Sequence, residues 1–438
     1  MSSRPAPSIN TVHFALPTDA AGLCLQQVRA HPGITRTELQ RSLHLSQPTI
    51  HRLVTRLTDE GILSATTTAT NSTGRPSSSL TVDGRTHLAT GAHIGLRRTQ
   101  LVLTDIAGRT LAHDSFPLFL DATPPHEALP FVLGRLSHLV KGHLGHAAPA
   151  GAEAQAAAGT GAAERTAAGP ARQAQLRSIG LAFSTDVLAN GVLESPIPAW
   201  DGIHLPTEVQ RALHDLPSAL PLDHTLPISL GTGVSALAGM ELAFRDPTVS
   251  PTQSSSILYV YSREVLSYSW IIHGGIHRPR VGHQSALISA LLAQSRLAVS
   301  DASASDNNQG EQTSTSGRQD PLSVGRLLDV AAEMGHPAAS LEELVHAART
   351  NAEVAELLDE RTDLLGKLID IAAQVTDPDE VVLAGETFSA DPERTRRLAQ
   401  WLNRNASERI LKAHPAHPHA TLDAVKMVAL HPLWQSPV

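Results

Sequence analysis

The feature that most constrains the fold of this chain is a helix-like periodicity of apolar residues close to its N-terminus. Apolar residues recur at helix-like spacing in three short stretches, residues 23–28, 39–43 and 50–57. Thr35 and Glu38 have the spacing of a capping box, so we expect the second helix to begin there, and Ser46 can cap the third. Between these helices, His44 and Leu45 leave room only for a tight turn. The pattern therefore predicts three short helices, the last two of which cross at a steep angle.

The third helix, over residues 46–56, has an apolar face and a polar face. The apolar residues, which we expect to pack inward, are Ile50, Leu53, Val54 and Leu57. The polar face carries Gln47, Pro48, Thr49, His51, Arg52, Thr55 and Arg56. Such a helix suits the major groove of DNA, where Gln47 can pair with adenine and the Thr49 methyl can contact thymine. Arg52 and Arg56 can reach guanine or phosphates. We interpret it as a recognition helix; the alternative is a helical bundle that serves only protein interaction.

Two short strand patterns follow, at residues 62–64 and 80–82, with a polar loop between them. In this loop, Gly74, Arg75 and Pro76 place one arginine between a flexible residue and a stiff one. An arginine so placed is suited to a narrow minor groove, where the negative potential is concentrated. A solvated hairpin tip is the alternative, but a position directly after a recognition helix favours a DNA-contacting wing. We therefore expect residues 1–85 to form a winged helix-turn-helix domain.

From residue 86 to 438 the pattern changes to strands alternating with helices, which is typical of an α/β body. Strands are predicted at residues 101–105, 110–112, 178–183, 257–261, 269–272 and 380–384, the first two joined as a hairpin by Ala107 and Gly108. Residues 147–176 and 299–319 lack the apolar side chains that offset ordering entropy. We expect these two segments to be disordered surface insertions.

Composition narrows the class of protein. The net charge of the 438 residues is -8, but seven arginines and five acids give residues 1–83 a charge of +2 and leave -10 for the rest. A mildly basic head on an acidic body suits an approach to phosphates. Cys24 is the only cysteine, which excludes an intrachain disulfide and favours a buried structural thiol. No apolar stretch is long enough to cross a bilayer and no secretory leader is visible, so we expect a cytoplasmic protein without a membrane partner.

A set of short motifs runs along the chain. In the head these are ITRTEL at residues 34–39, LSQPTI at 45–50 and GRP at 74–76. In the body they are the hairpin at 91–108, residues 179–183 with SPIPAWDG at 195–202, VGH at 281–283 and EVVLAGE at 380–386. In this order they resemble the ROK family (repressors, open reading frames and kinases), in its repressor branch. The resemblance implies a two-lobed, actin-like body of the sugar-kinase type behind the winged helix-turn-helix head.

The chain also departs from the kinases of this family. Where they have a glycine-rich phosphate loop, residues 93–97 read HIGLR, and a second phosphate turn expected near residues 262–267 reads SREVLS. Bulky side chains there keep backbone amides away from a phosphate. The family's catalytic base is the aspartate of an Asn-Asp pair, matched here by Thr232 and Gly233, and glycine cannot accept a hydroxyl proton. We therefore expect no catalytic residue and no enzyme activity; the alternative is an ATP-dependent sugar kinase with a DNA-binding head.

The resemblance also bears on metal and ligand binding. The family's zinc site takes a histidine, matched by His283, and cysteines that this chain lacks, so we expect no metal and no cofactor. In sugar-binding members that histidine also faces the sugar, which makes His283 a candidate effector contact. Arg280 replaces a glutamate of the family and, with Arg278 nearby, favours an acidic or phosphorylated sugar. The alternative is that Arg280 is a surface residue of a degenerate pocket.

Together these inferences predict a regulator that binds double-stranded DNA at a palindromic operator as a homodimer or higher homo-oligomer. A sugar or sugar-phosphate effector would act by binding the DNA-competent and incompetent arrangements with different affinity. The remaining alternative is a ligand-blind regulator, or a protein-interaction scaffold, whose body keeps only a dimer interface.

Overall fold

The computed structural model describes residues 8–68, 77–146, 173–216, 226–243, 256–263, 266–277, 291, 295–298, 321–405, 412–415 and 420–438. Of the two predicted insertions, residues 147–172 and 299–319 lie outside the described residues. The first insertion was predicted too long, because Gln175 and Leu176 already belong to a strand that is paired on one side.

The head contains three helices and a two-stranded sheet. The helices are α1 (Ala20–Ala30), α2 (Arg36–Leu43) and α3 (Gln47–Asp59), and the strands are β2 (Leu63–Thr68) and β3 (Ser77–Val82). The capping box is confirmed: Thr35 N donates to Glu38 Oε2 over 2.8 Å, and Glu38 N donates to Thr35 Oγ1 over 3.3 Å. His44 adopts a left-handed conformation (φ 52°) in the turn before α3. The three helices and both wing strands are therefore confirmed.

One core holds the head together. It is formed by buried side chains from all three helices and both strands: Cys24, Leu25, Val28, Leu39, Ile50, Val54, Leu57, Ile62, Leu63 and Leu80. The backbone before α2 joins the wing, because Gly33 N donates to Leu80 O and Leu80 N donates to Ile34 O. Cys24 is completely buried, and burial raises the pKa of its thiol to about 12, so it is the structural thiol that was predicted.

The first lobe of the body is built on a six-stranded sheet with the order β1-β10-β7-β4-β5-β6. Its strands are β1 (Ile9–Thr11), β4 (His87–Ile94), β5 (Arg98–Asp105), β6 (Thr110–Pro117), β7 (Gln175–Phe183) and β10 (Ile228–Thr232). Strands β4, β5 and β6 are antiparallel, whereas β4, β7, β10 and β1 run parallel. A small hairpin, β8 (Asp186–Val187) and β9 (Leu193–Glu194), follows β7. The predicted hairpin at the start of the body is thus confirmed.

Helices cover both faces of this sheet. On one face lie α4 (Pro125–His146) and α5 (Leu205–His214); on the other lie α6 (Gly233–Ala243) and the C-terminal helix α12 (Ala420–Gln435). Gly180 in the central strand β7 lies so close to Ala429 of α12 that a β-carbon would clash with the helix backbone. This close approach lets α12 pack directly against the middle of the sheet.

The second lobe has a five-stranded sheet with the order β13-β12-β11-β14-β15. Its strands are β11 (Ile257–Ser262), β12 (Leu266–Ile272), β13 (Gly275–His277), β14 (Glu380–Ala384) and β15 (Lys412–Pro415). Its helices are α7 (Val324–Glu333), α8 (Leu341–Ala347), α9 (Ala352–Thr376), α10 (Glu386–Ala390) and α11 (Pro392–Asn405). The predicted strands at residues 257–261, 269–272 and 380–384 are all present, and the α/β, two-lobed architecture is confirmed.

The N-terminal strand departs from the prediction. Residues Ile9–Thr11 were assigned to the head, but they pair in parallel with Ile228–Leu230 at the edge of the first-lobe sheet. From Ile9 the described chain therefore runs along the body sheet, enters the head at Asp19, which caps α1, and returns to the body at β4. A three-residue strand is too short for an alternating pattern to register in the sequence, and its partner lies more than two hundred residues away.

Candidate nucleic-acid interface and interlobe cleft

The outward face of α3 carries the predicted DNA-contacting residues. Those that are exposed are Gln47, Pro48, His51, Arg52, Thr55 and Arg56. They repeat at intervals of one and three residues and so form one continuous stripe along the helix. On the opposite side Ile50, Val54 and Leu57 are buried, and Leu53 is half-buried. The sequence pattern thus separates the helix into a packed side and a solvent side, as the fit to a DNA groove requires.

The start of α3 is fixed by its own side chains. Thr49 N donates to Ser46 Oγ over 3.4 Å, and the hydroxyls of Ser46 and Thr49 lie 2.8 Å apart. Pro48 stands in the first turn, where it costs no backbone hydrogen bond. Thr49 is half-buried, and its hydroxyl is engaged in the cap. Its methyl group is what remains for the thymine contact that the sequence predicts.

The polar groups of three side chains in the exposed stripe have no hydrogen-bond partner among the described residues. Among the described residues, the side chains of Gln47, Arg52 and Arg56 make no hydrogen bond or ion pair. Long polar side chains without an intramolecular partner are ready to meet an external one without first breaking a contact. The stripe therefore has the chemistry of a groove-reading surface.

The two strands of the wing follow α3 in the chain. Strands β2 and β3 pair from Leu63 with Val82 to Thr68 with Ser77, and the hydroxyls of Ser64 and Thr81 lie 2.8 Å apart. The predicted minor-groove residues Gly74, Arg75 and Pro76 lie outside the described residues. Their role therefore stays a prediction, made from the sequence and from the strands that flank them.

The C-terminal end of α3 is held by Thr86 and by the first residue of β4. Thr86 Oγ1 donates to Gly61 O over 2.8 Å, and His87 Nε2 lies 2.8 Å from Glu60 O. Glu60 caps α3, and Gly61 continues the turn with a positive φ of 73°. Strand β4 begins at His87, so only residues 83–86 connect the second strand of the wing to the body sheet.

Helix α1 is attached to α12. The Arg29 guanidinium carbon lies 3.2 Å from the centre of the Trp434 ring, and Trp434 Nε1 donates to Ile106 O over 2.8 Å. Ser436 Oγ also donates to Asp19 Oδ2, at the cap of α1. Burial lowers the pKa of Arg29 to about 9. Arg29 was counted in the basic balance of the head, but it packs against the body and does not contribute to a phosphate-facing surface.

The two altered phosphate loops meet in a cleft between the lobes. From the first lobe the cleft is lined by His93, Gly95, Arg97, Arg98 and Ser184, and from the second by Tyr261, Arg263 and Ser267. Gly95 allows the tight turn between β4 and β5, because a β-carbon there would lie 2.7 Å from Arg98 O. Residues 264–265, in the second loop, lie outside the described residues.

The position matched to the kinase base holds no acid. Thr232 ends β10, and its hydroxyl accepts a hydrogen bond of 2.9 Å from Val187 N. Gly233 opens α6, and a β-carbon at Gly233 would lie 3.2 Å from His93 Nε2. Burial, and to a smaller extent the nearby Arg263, lowers the pKa of His93 to about 4, so this imidazole is neutral at physiological pH.

The WDG stretch is a structural element. Trp200 is completely buried, and its Nε1 donates to Leu120 O over 3.1 Å and to Thr123 O over 3.0 Å. Asp201 Oδ1 accepts from Ser195 N over 3.0 Å. These bonds fix the loop against the start of α4, and they satisfy the polar atom that comes with a buried indole.

The predicted effector contacts Arg280 and His283 lie outside the described residues, as does Arg278. Within the described ranges, no three His, Cys, Asp or Glu side chains are grouped closely enough to hold a metal ion. The same part of the chain contains no helix that is both long enough and apolar enough to cross a membrane.

Comparison with known proteins agrees with this architecture. Residues 25–64 match the family model for winged helix-turn-helix DNA-binding domains. Proteins named as transcriptional regulators in Mycobacterium tuberculosis and Mycobacterium bovis are each 27% identical to this chain over 392 residues, which cover 87% of this chain and 78% of theirs. A crystal structure of a ROK family transcriptional regulator, described as a homolog of the E. coli MLC protein, has a TM-score of 0.62 at 14% identity, over 95% of this chain and 96% of that one. A glucokinase from Balamuthia mandrillaris in complex with glucose has a TM-score of 0.51 at 12% identity, over 78% of this chain and 93% of that one.

The head and the body are thereby both assigned to a class. The head is a winged helix-turn-helix DNA-binding domain, and the body has the fold of the ROK family transcriptional regulator and of the glucokinase. The chain as a whole is similar to the two mycobacterial proteins over most of its length, and that similarity includes the body as well as the head.

Proposed function

We propose that this protein is a DNA-binding transcriptional regulator, acting as a repressor, that reads its operator with the exposed stripe of α3 and the wing. The observation that carries the proposal is the stripe itself: one capped helix presents polar side chains without intramolecular partners on a domain of the DNA-binding class. Gln47 and the Thr49 methyl would contact bases, while Arg52 and Arg56 would contact guanine or phosphates. In this proposal Gly74, Arg75 and Pro76 place an arginine in the adjacent minor groove.

The names of the similar proteins support a regulatory role. Two mycobacterial relatives and a structural relative over 95% of the chain are all described as transcriptional regulators. A regulator of this kind acts inside the cytoplasm as a homodimer, because a two-fold pair presents two recognition helices to a palindromic site. The two half-sites would then lie about 34–36 Å apart, or a multiple of this distance.

In this proposal the body senses a ligand and catalyses no reaction. The residue that opens α6 is Gly233, and the adjacent His93 is neutral and buried, so no carboxylate stands where the kinase base would act. A ligand that binds the two arrangements of the body with different affinity would change the DNA affinity of the head. Sugar-derived effectors fit a body with the ROK fold.

Footprinting on the DNA upstream of the protein's own gene tests the proposal. We expect a protected site with two symmetric halves, weakened by Gln47→Ala chiefly at one base pair and by Arg75→Ala across the flanking minor groove. The matched control is Arg349→Ala, since Arg349 is exposed on the body and far along the chain from the head. Absence of any protected site, or the same loss in the control, would show that the assignment of the head residues is wrong.

Two further measurements examine the body. Light scattering should give the mass of a dimer or a higher oligomer, and a monomer at all concentrations would contradict the palindromic arrangement. An ATP-dependent phosphorylation assay on a panel of hexoses should give no turnover. Turnover above background would favour the sugar-kinase alternative.

A further inference from the structure

We infer that the interlobe cleft binds a small phosphate-bearing anion, held between Arg97 and Arg98 of the first lobe and Arg263 of the second. This inference deepens the proposed function, since it gives the effector a place and a chemical class, but binding of the anion itself does not depend on DNA binding. The proposed site is formed by residues other than Arg280 and His283, the effector contacts that the sequence predicts.

The charge of the cleft is the first support. Of the described residues that line it, three are arginines and none is acidic. Arg97 ends the turn after β4 and Arg98 begins β5; both are exposed, and Arg98 Nη1 donates to Ser115 Oγ over 3.1 Å. Such a concentration of cations in a cleft with low-dielectric walls raises the local concentration of anions.

Arg263 is positioned from behind. Its Nε donates to Glu386 Oε2 over 2.8 Å, and this ion pair is only partly exposed. Tyr261 lies next to it in the lining of the cleft. Because one edge of the guanidinium is fixed by the carboxylate, the orientation of the rest is restricted before a ligand arrives, which reduces the entropy cost of binding.

The neutral groups in the cleft fit an acceptor-rich ligand. Ser184 Oγ is buried and has no hydrogen-bond partner among the described residues, although it lines the cleft. Ser267 faces the same space from β12. An unpaired buried hydroxyl costs free energy that a phosphate oxygen would recover by accepting its proton.

The same lining argues against two other ligands. A neutral sugar is recognised through its hydroxyl hydrogens, which need acceptors, but no carboxylate or carboxamide is found among the described lining residues. A nucleoside triphosphate needs backbone amides brought close by small residues, and Leu96 and Arg97 follow Gly95 in the turn. Of the three ligand classes, the lining therefore fits a compact dianion such as phosphate, which guanidinium groups bind in a bidentate manner.

Binding measurements on the full-length protein without DNA test this inference. The probes are inorganic phosphate, glucose 6-phosphate and glucose, each followed by calorimetry and by the melting temperature. We expect phosphate and glucose 6-phosphate to bind and to raise the melting temperature, with an effect that weakens as salt increases, and we expect glucose to have none. Tighter binding of glucose 6-phosphate than of phosphate would identify a sugar phosphate rather than free phosphate as the ligand.

Variants connect the binding to the cleft. The pair Arg97→Ala and Arg98→Ala, and separately Arg263→Gln, should each weaken phosphate binding by about tenfold or more, because each removes charge-assisted hydrogen bonds. Arg349→Ala serves as the control. All of these positions are at least partly exposed, so the variants are expected to fold, which their circular dichroism will check.

The outcomes separate the two proposals. Absence of binding by phosphate and by glucose 6-phosphate, equal binding by glucose, or equal losses in Arg349→Ala would overturn the anion site. Gln47→Ala should keep full phosphate binding while losing DNA affinity. If the protein binds phosphate but no protected DNA site is found, the proposed function is refuted and the anion site is retained.

Discussion

Helices α1 and α3 belong to the same small domain, and both are amphipathic with arginines on their polar sides, yet they meet opposite surroundings. On α1, Gln26 and Gln27 are buried, and the half-buried Arg29 stacks on Trp434. On α3, Arg52 and Arg56 face solvent. The difference teaches that a polar helix face identifies a surface for contact but not the partner, since one face is covered by the body and the other is exposed to solvent.

The largest effect on stability should follow from removing the contact between α1 and the body. Trp434→Ala removes the ring beneath Arg29 and the hydrogen bond to Ile106 O. We expect the free energy of unfolding to fall by about 3–5 kcal/mol, as for other buried aromatic residues cut back to alanine. Denaturant titration measures this loss. A loss no greater than that of Arg349→Ala would mean that α1 and α12 are not coupled in stability.

Acid should weaken the fold of the body through two buried histidines. His431, on α12, contacts Phe14 with ring centres 5.2 Å apart, and burial lowers its pKa to about 4. His93 has a pKa near the same value. Because the unfolded chain binds these protons at higher pH than the folded one, stability is full above about pH 6.5 and is lost as pH falls toward 4. Each histidine contributes roughly 3 kcal/mol of this loss.

Unfolding at several pH values between 4 and 7 checks the pH dependence. His431→Gln should flatten the profile by the share of one histidine, since glutamine does not titrate. A variant whose profile coincides with that of the parent would exclude His431 as a source.

Substitutions on the exposed face of α3 should change the affinity for DNA and leave the stability of the fold unchanged. Arg52→Ala is expected to weaken operator binding by about 1–3 kcal/mol if the guanidinium reads a guanine. A uniform loss on all sequences, with a smaller dependence on salt, would instead identify a phosphate contact. Anisotropy titrations against the operator and a scrambled duplex distinguish the two. A drop in unfolding free energy comparable with that of Trp434→Ala would show that α3 is not the free face.

The smallest effect concerns the start of α3. Ser46→Ala removes the acceptor for Thr49 N and should cost about 1 kcal/mol of stability. It should also reduce DNA affinity slightly, because the first turn carries Gln47 and Thr49. Ser46→Asp, which keeps an acceptor at the cap, should restore the stability measured by denaturant titration.

Local features of the head could be predicted from the sequence because their partners are near in the chain. The Thr35 and Glu38 capping box and the turn at His44 each depend on residues within a few positions. The short strand Ile9–Thr11 and the stacking of Arg29 on Trp434 could not, since their partners lie hundreds of residues away. Such contacts leave no periodic signal in either segment.

The cleft is an intermediate case. The sequence identified residues 93–97 and 262–267 as altered phosphate loops, and the structure brings both to one cleft. The sequence did not indicate that Arg97, Arg98 and Arg263 line the same cleft. The signal was available, because arginines entered both loops where glycines were expected, but the opposing positions of the loops become apparent only in three dimensions.

Strand β4 gives the molecule a direct mechanical connection. His87 at its first residue contacts the end of α3, and His93 near its last lies in the cleft, about 20 Å away at the rise of a strand. Because β5 and β7 pair with β4 on either side, it cannot lengthen or bend without breaking both ladders. A shift at the cleft end of β4 would therefore be transmitted along the strand to the end of α3. The response of such a regulator to a ligand would then depend on how far the lobes move.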